Sequence, residues 1–234
     1  MAHSRFGASA AHRWMRCPGS IKASEGIPNV SSPAAEEGTM LHEVAANILL
    51  DLPVEYELTD EQWDVVNQYL DTVRSVPGKL LVEAHFKLPH HPEFWGTADA
   101  VIVGDGKLTV IDLKAGRGVA VEADYNGRVN PQLGFYALGA MSLFPDVRFR
   151  EIEIVIVQPR FGGVKRRVTS VAELEDLADE MLAAATNAVS DTPRFEAGSH
   201  CKFCLARQTC HALRDEVFRL ARMDFDDEFA AVAV

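Results

Sequence analysis

The chain has 234 residues, with 34 Asp and Glu against 23 Lys and Arg, a formal net charge of −11 and 47% hydrophobic content. These values are ordinary for a globular protein and allow a real core, either in one large domain or in two small ones. No apolar run reaches the length of a membrane span, and the stretch from His3 and Arg5 to Ala11 lacks the apolar centre of a signal peptide. A cytoplasmic protein without a membrane partner is therefore expected. The acidic balance disfavours a surface built for phosphate throughout. It leaves room for a local basic rim at Arg148, Arg150, Arg160, Lys165, Arg166 and Arg167, which are equally readable as the solvated faces of a hairpin.

In chain order, Ser32-Pro33 opens a helix as N-cap and first helical residue. It carries Leu41, His42, Ala45, Ile48 and Leu49 and ends before Pro53. Thr59 and Gln62 have the spacing of a capping box, and Trp63, Val66, Leu70 and Val73 form the apolar stripe of a second helix. Strands follow over Leu80–Leu88, Phe94–Val103 and Leu108–Leu113, the last two joined by the tight-turn pair Asp105-Gly106. Asn130-Pro131 begins a helix to about Leu143. Arg150–Val157 and Val164–Thr169 form a strand pair turned at Phe161-Gly162-Gly163, and Ser170 and Glu173 make a second capping box before a helix through Leu174, Leu177, Met181 and Ala185. Beyond Pro193 little regular pattern is expected before a short closing helix at Arg214–Met223 and an acidic, flexible tail over 224–234. This order predicts an α/β fold with a mixed sheet flanked by helices.

The hairpin carries the chemistry. With Asp105-Gly106 as the central turn residues, Val103 faces Leu108, Val101 faces Val110, Asp99 faces Asp112 and Thr97 faces Lys114. Alternation then sends Asp99, Asp112 and Lys114 to one face and Ala100, Ile102, Ile111 and Leu113 to the other. Two carboxylates opposed at roughly 4.5–5.5 Å repel each other, and a magnesium or manganese ion would remove that repulsion. Lys114 could hold an attacking water or neutralise charge on a phosphate, and Gly96, Gly116 and Gly118 leave the approach open. A surface hairpin with an ordinary Asp–Lys ion pair is the plain alternative.

Other residues add to this. His42 can border the sheet as a ligand or as a packed histidine. Gln132 and Tyr136, four apart, share a helix face that is otherwise an amphipathic edge. Cys201-x2-Cys204-x5-Cys210 is a compact thiolate trio, and Cys17 supplies a fourth sulfur. Stable disulfides are not expected in a reducing compartment, and four thiolates suit zinc or an iron–sulfur cluster alike.

Taken as an ordered series, Cys17-Pro18, Gly38-x3-His42, Gly96-Thr97-Ala98-Asp99, Ile111-Asp112-Leu113-Lys114, Gln132-x3-Tyr136 and Cys201/Cys204/Cys210 resemble the RecB-like PD-(D/E)XK nucleases. The likeness is to their iron–sulfur branch, which includes the AddB nuclease domain and CRISPR-associated RecB-like exonucleases, and to small phage-borne members. Ala98 stands where the motif name has proline. The resemblance implies a single nuclease domain over 1–223, with a core at about 32–190 and an iron–sulfur region formed by 9–20 and 195–223. It implies metal binding by His42, Asp99, Asp112 and the Leu113 carbonyl, catalysis assisted by Lys114, and DNA contact or site support from Gln132 and Tyr136. Glu83 occupies a strand position where many relatives are acidic. A [4Fe–4S] cluster on Cys17, Cys201, Cys204 and Cys210 is implied, with zinc as the alternative. The implied activity is Mg- or Mn-dependent hydrolysis of DNA, from ends or on single strands, with phage or host recombination and replication proteins as possible partners. The rival readings are an inactive nuclease-fold DNA-binding or assembly subunit and a zinc-structured or redox iron–sulfur protein.

Overall fold

The computed structural model describes residues 4–125 and 127–232, with side chains up to residue 223. Its helices are α1 (Ala11–Arg16), α2 (Gly19–Ala23), α3 (Pro33–Leu49), α4 (Asp60–Arg74), α5 (Pro131–Ser142), α6 (Val171–Ala188) and α7 (His211–Val232). The strands are β1 (Lys79–Lys87), β2 (Trp95–Gly104), β3 (Lys107–Leu113), β4 (Asp124–Tyr125), β5 (Arg128–Val129), β6 (Glu151–Gln158) and β7 (Gly163–Thr169). No helix among the described residues is long and apolar enough to cross a membrane. The chain divides into two units, residues 1–11 with 30–179 and residues 12–29 with 180–234.

The first unit is built on a mixed five-stranded sheet of order β1-β2-β3-β6-β7, antiparallel except for the β3–β6 pair. A parallel neighbour requires a crossover, and α5 lies within the segment that makes it. The expected caps form as the sequence dictates. Ser32 Oγ accepts from the Ala35 amide, Thr59 and Gln62 close both halves of a capping box, and Asn130 Oδ1 accepts from Gln132 and Leu133. Ser170 accepts from Glu173 N, but the Glu173 carboxylate turns to Thr169, Arg167 and the Val129 amide instead of closing the box. The turn at Asp105-Gly106 has φ of 50° and 73°, the twist-matched hairpin geometry.

Leu41, Val44 and Ala45 of α3 and Val65, Val66, Tyr69, Leu70 and Val73 of α4 pack on Ala100, Ile102, Ile111, Leu113, Val155 and Val157 of the sheet. The side of the hairpin expected to face a core therefore does so. Helix α5 runs across β1, β2, β3 and β6 and sits unusually close. A Cβ at Gly139 would meet the Phe86 ring at 2.2 Å, and one at Gly134 would meet Leu177 at 2.3 Å. Gly139 thus sets how closely α5 lies on the sheet at β1, and Gly134 how closely it lies against α6.

The second unit contains α1, α2 and α7, with two short 3₁₀ turns at Ser199–Phe203 and Leu205–Gln208. Gly19 N donates to Arg194 O, and Phe195 covers Gly19 so closely that a Cβ would lie 2.6 Å from its ring. The closing helix is longer than its expected Arg214–Met223 extent, and the acidic segment expected as a tail is helical to Val232. No glycine or proline interrupts His211–Val232, so elongation from an existing helix costs little there. The helices α1 and α2 were not expected, being too short for a period to register.

Gly139→Ala should destabilise the protein by roughly 1–3 kcal/mol through overpacking against Phe86, outweighing the gain of about 1 kcal/mol in helix propensity. Urea unfolding measures this, and a stabilised variant would show that α5 can rise freely.

Candidate active site

The site forms where the central hairpin opens. The β2–β3 ladder runs from Gly104↔Lys107 to Ala100↔Ile111, and the next pair in that count would be Asp99 and Asp112. Beyond Ile111, β3 stays paired with β6 through Asp112↔Ile156 and Leu113↔Val157, and Lys114 N donates to Val157 O at 2.8 Å. On the β2 side the Leu113 amide donates to Asp99 Oδ2 at 2.8 Å. A carboxylate thus takes the place of a backbone carbonyl, and the flat count that put Thr97 opposite Lys114 gives way. Thr97 Oγ1 instead meets His85 Nδ1 at 2.7 Å, across the β1–β2 pair.

The two acids differ in surroundings. Asp99 lies with its Oδ2 3.3 Å from His42 Nδ1 of α3. Asp112, only 2% exposed, meets the Lys114 ammonium at 2.8 Å and accepts from the Gln132 amide at 3.3 Å. Gln132 in turn donates to the Tyr136 hydroxyl at 3.0 Å. Asp112 Oδ2 has the nearby charge of Lys114 but no partner in hydrogen-bonding geometry. The sequence series His42, Asp99, Asp112, Lys114, Gln132 and Tyr136 is therefore brought into one neighbourhood, as two linked clusters, His42 with Asp99 and Lys114 and Gln132 with Asp112.

Burial raises the Asp112 carboxyl above its usual range, with Asp99 pushing the same way against the pull of Lys114. Burial also opposes the Asp99 anion, but the His42 charge and hydrogen bond, Lys114 and the Leu113 amide outweigh it and hold that carboxyl low. His42 is likewise desolvated, yet Asp99 and then Asp112 keep its imidazole above the ordinary histidine value. Glu83 is raised by burial and by Asp99. It lines a small cleft with His42, Ala45, Tyr69, Asp99 and Leu113 and has φ of 49°, a conformation a non-glycine residue adopts at local cost. Tyr69 was missed from sequence; it continues the apolar α4 stripe, and nothing in its spacing marks it as facing three carboxyls. Burial, followed by those charges, drives its hydroxyl far above the usual tyrosine range.

Four of the six basic residues expected as a rim are instead paired with carboxylates. Arg160 binds Glu37 and Glu61, Lys165 binds Glu122, Arg166 binds Glu153, and Arg167 binds Asp124 and Glu173. Arg150 donates to the Asp105 carbonyl. With 34 acids available against 23 bases, strand-borne cations find internal partners before they form a free patch.

In the second unit, Cys17, Cys201, Cys204 and Cys210 are all free thiols and line one pocket with His200 and Glu196. The amides of Glu196 and Gly198 point at Cys17 Sγ and Cys201 Sγ, each at 3.4 Å. Burial, with Cys201 and Cys210 nearby, pushes the Cys17 thiol up. Among the described residues no three His, Cys, Asp or Glu side chains stand together as a ready metal cage.

A mixed α/β sheet with two acids, a lysine and a histidine at the parting of its central strands defines the class of molecule. The chain belongs to the DUF2800 family, described as proteins of unknown function, whose model matches residues 3–231. Among solved structures, the chain is similar to SSO0001 at 17% identity, covering 88% of this chain and 84% of that one, with a TM-score of 0.37. It is similar to a candidate exonuclease from Eubacterium rectale at 10% identity, covering 90% and 87%, with a TM-score of 0.44. It is also similar to the alkaline exonuclease LHK-Exo from Laribacter hongkongensis at 11% identity, covering 76% and 92%, with a TM-score of 0.34.

Because the folded Asp112 carboxyl is raised, its anion is a destabilising load that is present at neutral pH and disappears as pH falls below the unfolded value. In metal-free buffer, Asp112→Asn should unfold at a higher temperature than the wild type at pH 7, with the gap closing toward pH 3.5. A lower midpoint at pH 7 would mean that the Lys114 pair outweighs the burial cost.

Proposed function

We propose that this chain is a divalent-metal-dependent deoxyribonuclease that hydrolyses phosphodiester bonds at DNA ends or in single strands, with its cysteines holding a [4Fe–4S] cluster. The observation that carries the reading is the convergence of His42, Asp99, Asp112 and Lys114 where β2 and β3 part, with Asp112 buried and its two oxygens 2.8 and 3.0 Å from the Lys114 ammonium.

The donors fit a hard cation in kind: two carboxylates, an imidazole and the Leu113 carbonyl would hold it. His42 contacts Asp99 and Lys114 contacts Asp112, and with Glu83 beside Asp99 three carboxyls face one lysine and one histidine. A bound magnesium or manganese ion would supply charge neutralisation and an acidified water. The chain's own groups do the rest. Lys114, anchored on Asp112, holds a proton-bearing ammonium at the point where phosphate charge develops. Gln132 orients Asp112, and the Tyr136 hydroxyl orients Gln132. Glu83 adds a further carboxyl beside Asp99.

The thiolate set fits a soft metal or cluster, and backbone amides directed at two of the sulfurs would offset their negative charge. Such a group would tie residues 17 and 201–210 together within the second unit, closing a long loop.

Labelled single- and double-stranded DNA should be degraded with Mg²⁺ or Mn²⁺, and Asp112→Ala and Lys114→Ala should each lower the rate by about 10²–10³, the scale of losing one electrostatic stabiliser. Undiminished cleavage in both variants, or DNA binding without cleavage under either metal, would overturn the enzyme reading. Separately, anaerobically purified protein should be brown, bleach with dithionite and lose its colour in Cys204→Ser. Colourless protein with stoichiometric zinc would replace the cluster by a zinc site.

A further inference from the structure

Resting on the nuclease reading, we infer that Arg160 is a positioning residue that holds the two halves of the catalytic cluster, the lysine strand and the histidine helix, to one guanidinium.

Arg160 follows β6, and its side chain is only 9% exposed. Nη1 donates to the carbonyl of Ala115, the residue after Lys114. Nη2 and Nη1 reach both oxygens of Glu37 on α3, at 2.9 and 3.3 Å, and Nε reaches Glu61 at the start of α4 at 3.1 Å. Glu37 lies five residues before His42 on the same helix and also accepts from Gln62 at 3.1 Å. One planar donor fork therefore spans three segments, a task that suits guanidinium and not a point-charge ammonium.

The grip continues along the segment beyond Lys114, which has no regular structure before β4. Gln158, 2% exposed, donates to Val119 O and accepts from Val121 N, at 2.7 and 2.8 Å. Lys165 donates to Val121 O at 2.8 Å. Ala115 itself is buried in the core, whereas Gly116 and Gly118 have open space around them, so beyond Ala115 the segment is held by these hydrogen bonds and by the ion pairs of Arg117 with Glu37 and Glu61. Lys114 is the last ladder-bonded residue before that segment, and the carbonyl Arg160 holds belongs to the residue that follows it.

The experiment compares wild type, Arg160→Gln, Arg160→Lys and Glu37→Gln in single-turnover cleavage at saturating Mn²⁺ and DNA, with amide hydrogen exchange on the same proteins. Arg160→Gln should lower the saturated rate by about 10²-fold, the cost of displacing a reacting group by ~1 Å, with KM for DNA within about threefold. Exchange should rise over 115–122 and the first turns of α3 while the β3 and β6 amides stay protected. Arg160→Lys should recover only part of the rate. A full rate in Arg160→Gln, or unchanged exchange over 115–122, overturns the positioning role while leaving the nuclease reading intact. Absence of cleavage by the wild type with any metal sinks that reading and this role with it. Should Arg160→Gln fail to fold, Glu37→Gln, which weakens the α3 arm together with the Gln62 and Arg117 contacts of Glu37, carries the test, and a wild-type rate there overturns the inference.

Discussion

The site depends on a ladder that stops. Two antiparallel strands could have stayed paired through Asp99 and Asp112, but their carboxylates would then stand opposed in a largely buried setting. Instead β3 keeps its bonds to β6, and β2 gives its place on the Leu113 amide to the Asp99 side chain. The exchange satisfies the orphaned donor, which would otherwise cost roughly 1–3 kcal/mol, and separates the two acids toward different partners, His42 and Lys114. What it leaves is Asp112 buried against the Lys114 ammonium, which lies 2.8 Å from one of its oxygens and 3.0 Å from the other.

The surroundings hold this arrangement from three sides. Helix α5 lies against Phe86 of the sheet at Gly139 and carries Gln132 to Asp112. Helix α3 brings His42 to Asp99 while its neighbours Leu41, Val44 and Ala45 are buried against the sheet. The β6–β7 hairpin supplies Arg160, Gln158 and Lys165 to the segment after Lys114. Polar groups buried at this density have few alternative partners, so the packing that hides them also orients them. The acidic composition has a related consequence. The cations of β7 and its preceding turn are taken up by internal carboxylates and do not form a free basic patch.

Much of the fold was legible because the local signals agreed with one another. The caps at Ser32, Thr59 and Asn130, the Asp105-Gly106 turn and the apolar periods placed α3, α4, α5 and the five main strands to within a few residues. The short N-terminal helices and the full extent of α7 were not legible. A helix of five or six residues shows no period, and an acidic run without glycine or proline reads equally as tail or as helix. At the site, the residues were legible as a set. Their division into a His42–Asp99 pair and an Asp112–Lys114–Gln132 cluster was not, since a pairing count assumes that strands stay together.

The sequence by itself determined the elements, the register of the hairpin from its turn, and which side chains could bear chemistry, because these follow from local conformational preference and alternation. Only the tertiary structure decided where the hairpin parts, that Tyr69 and Glu83 share the cleft with His42 and Asp99, and that Arg160 spans Ala115, Glu37 and Glu61. Those are contacts between segments distant in the chain. They are set by competition among buried donors, acceptors and charges for a limited number of partners, and no local pattern records the outcome.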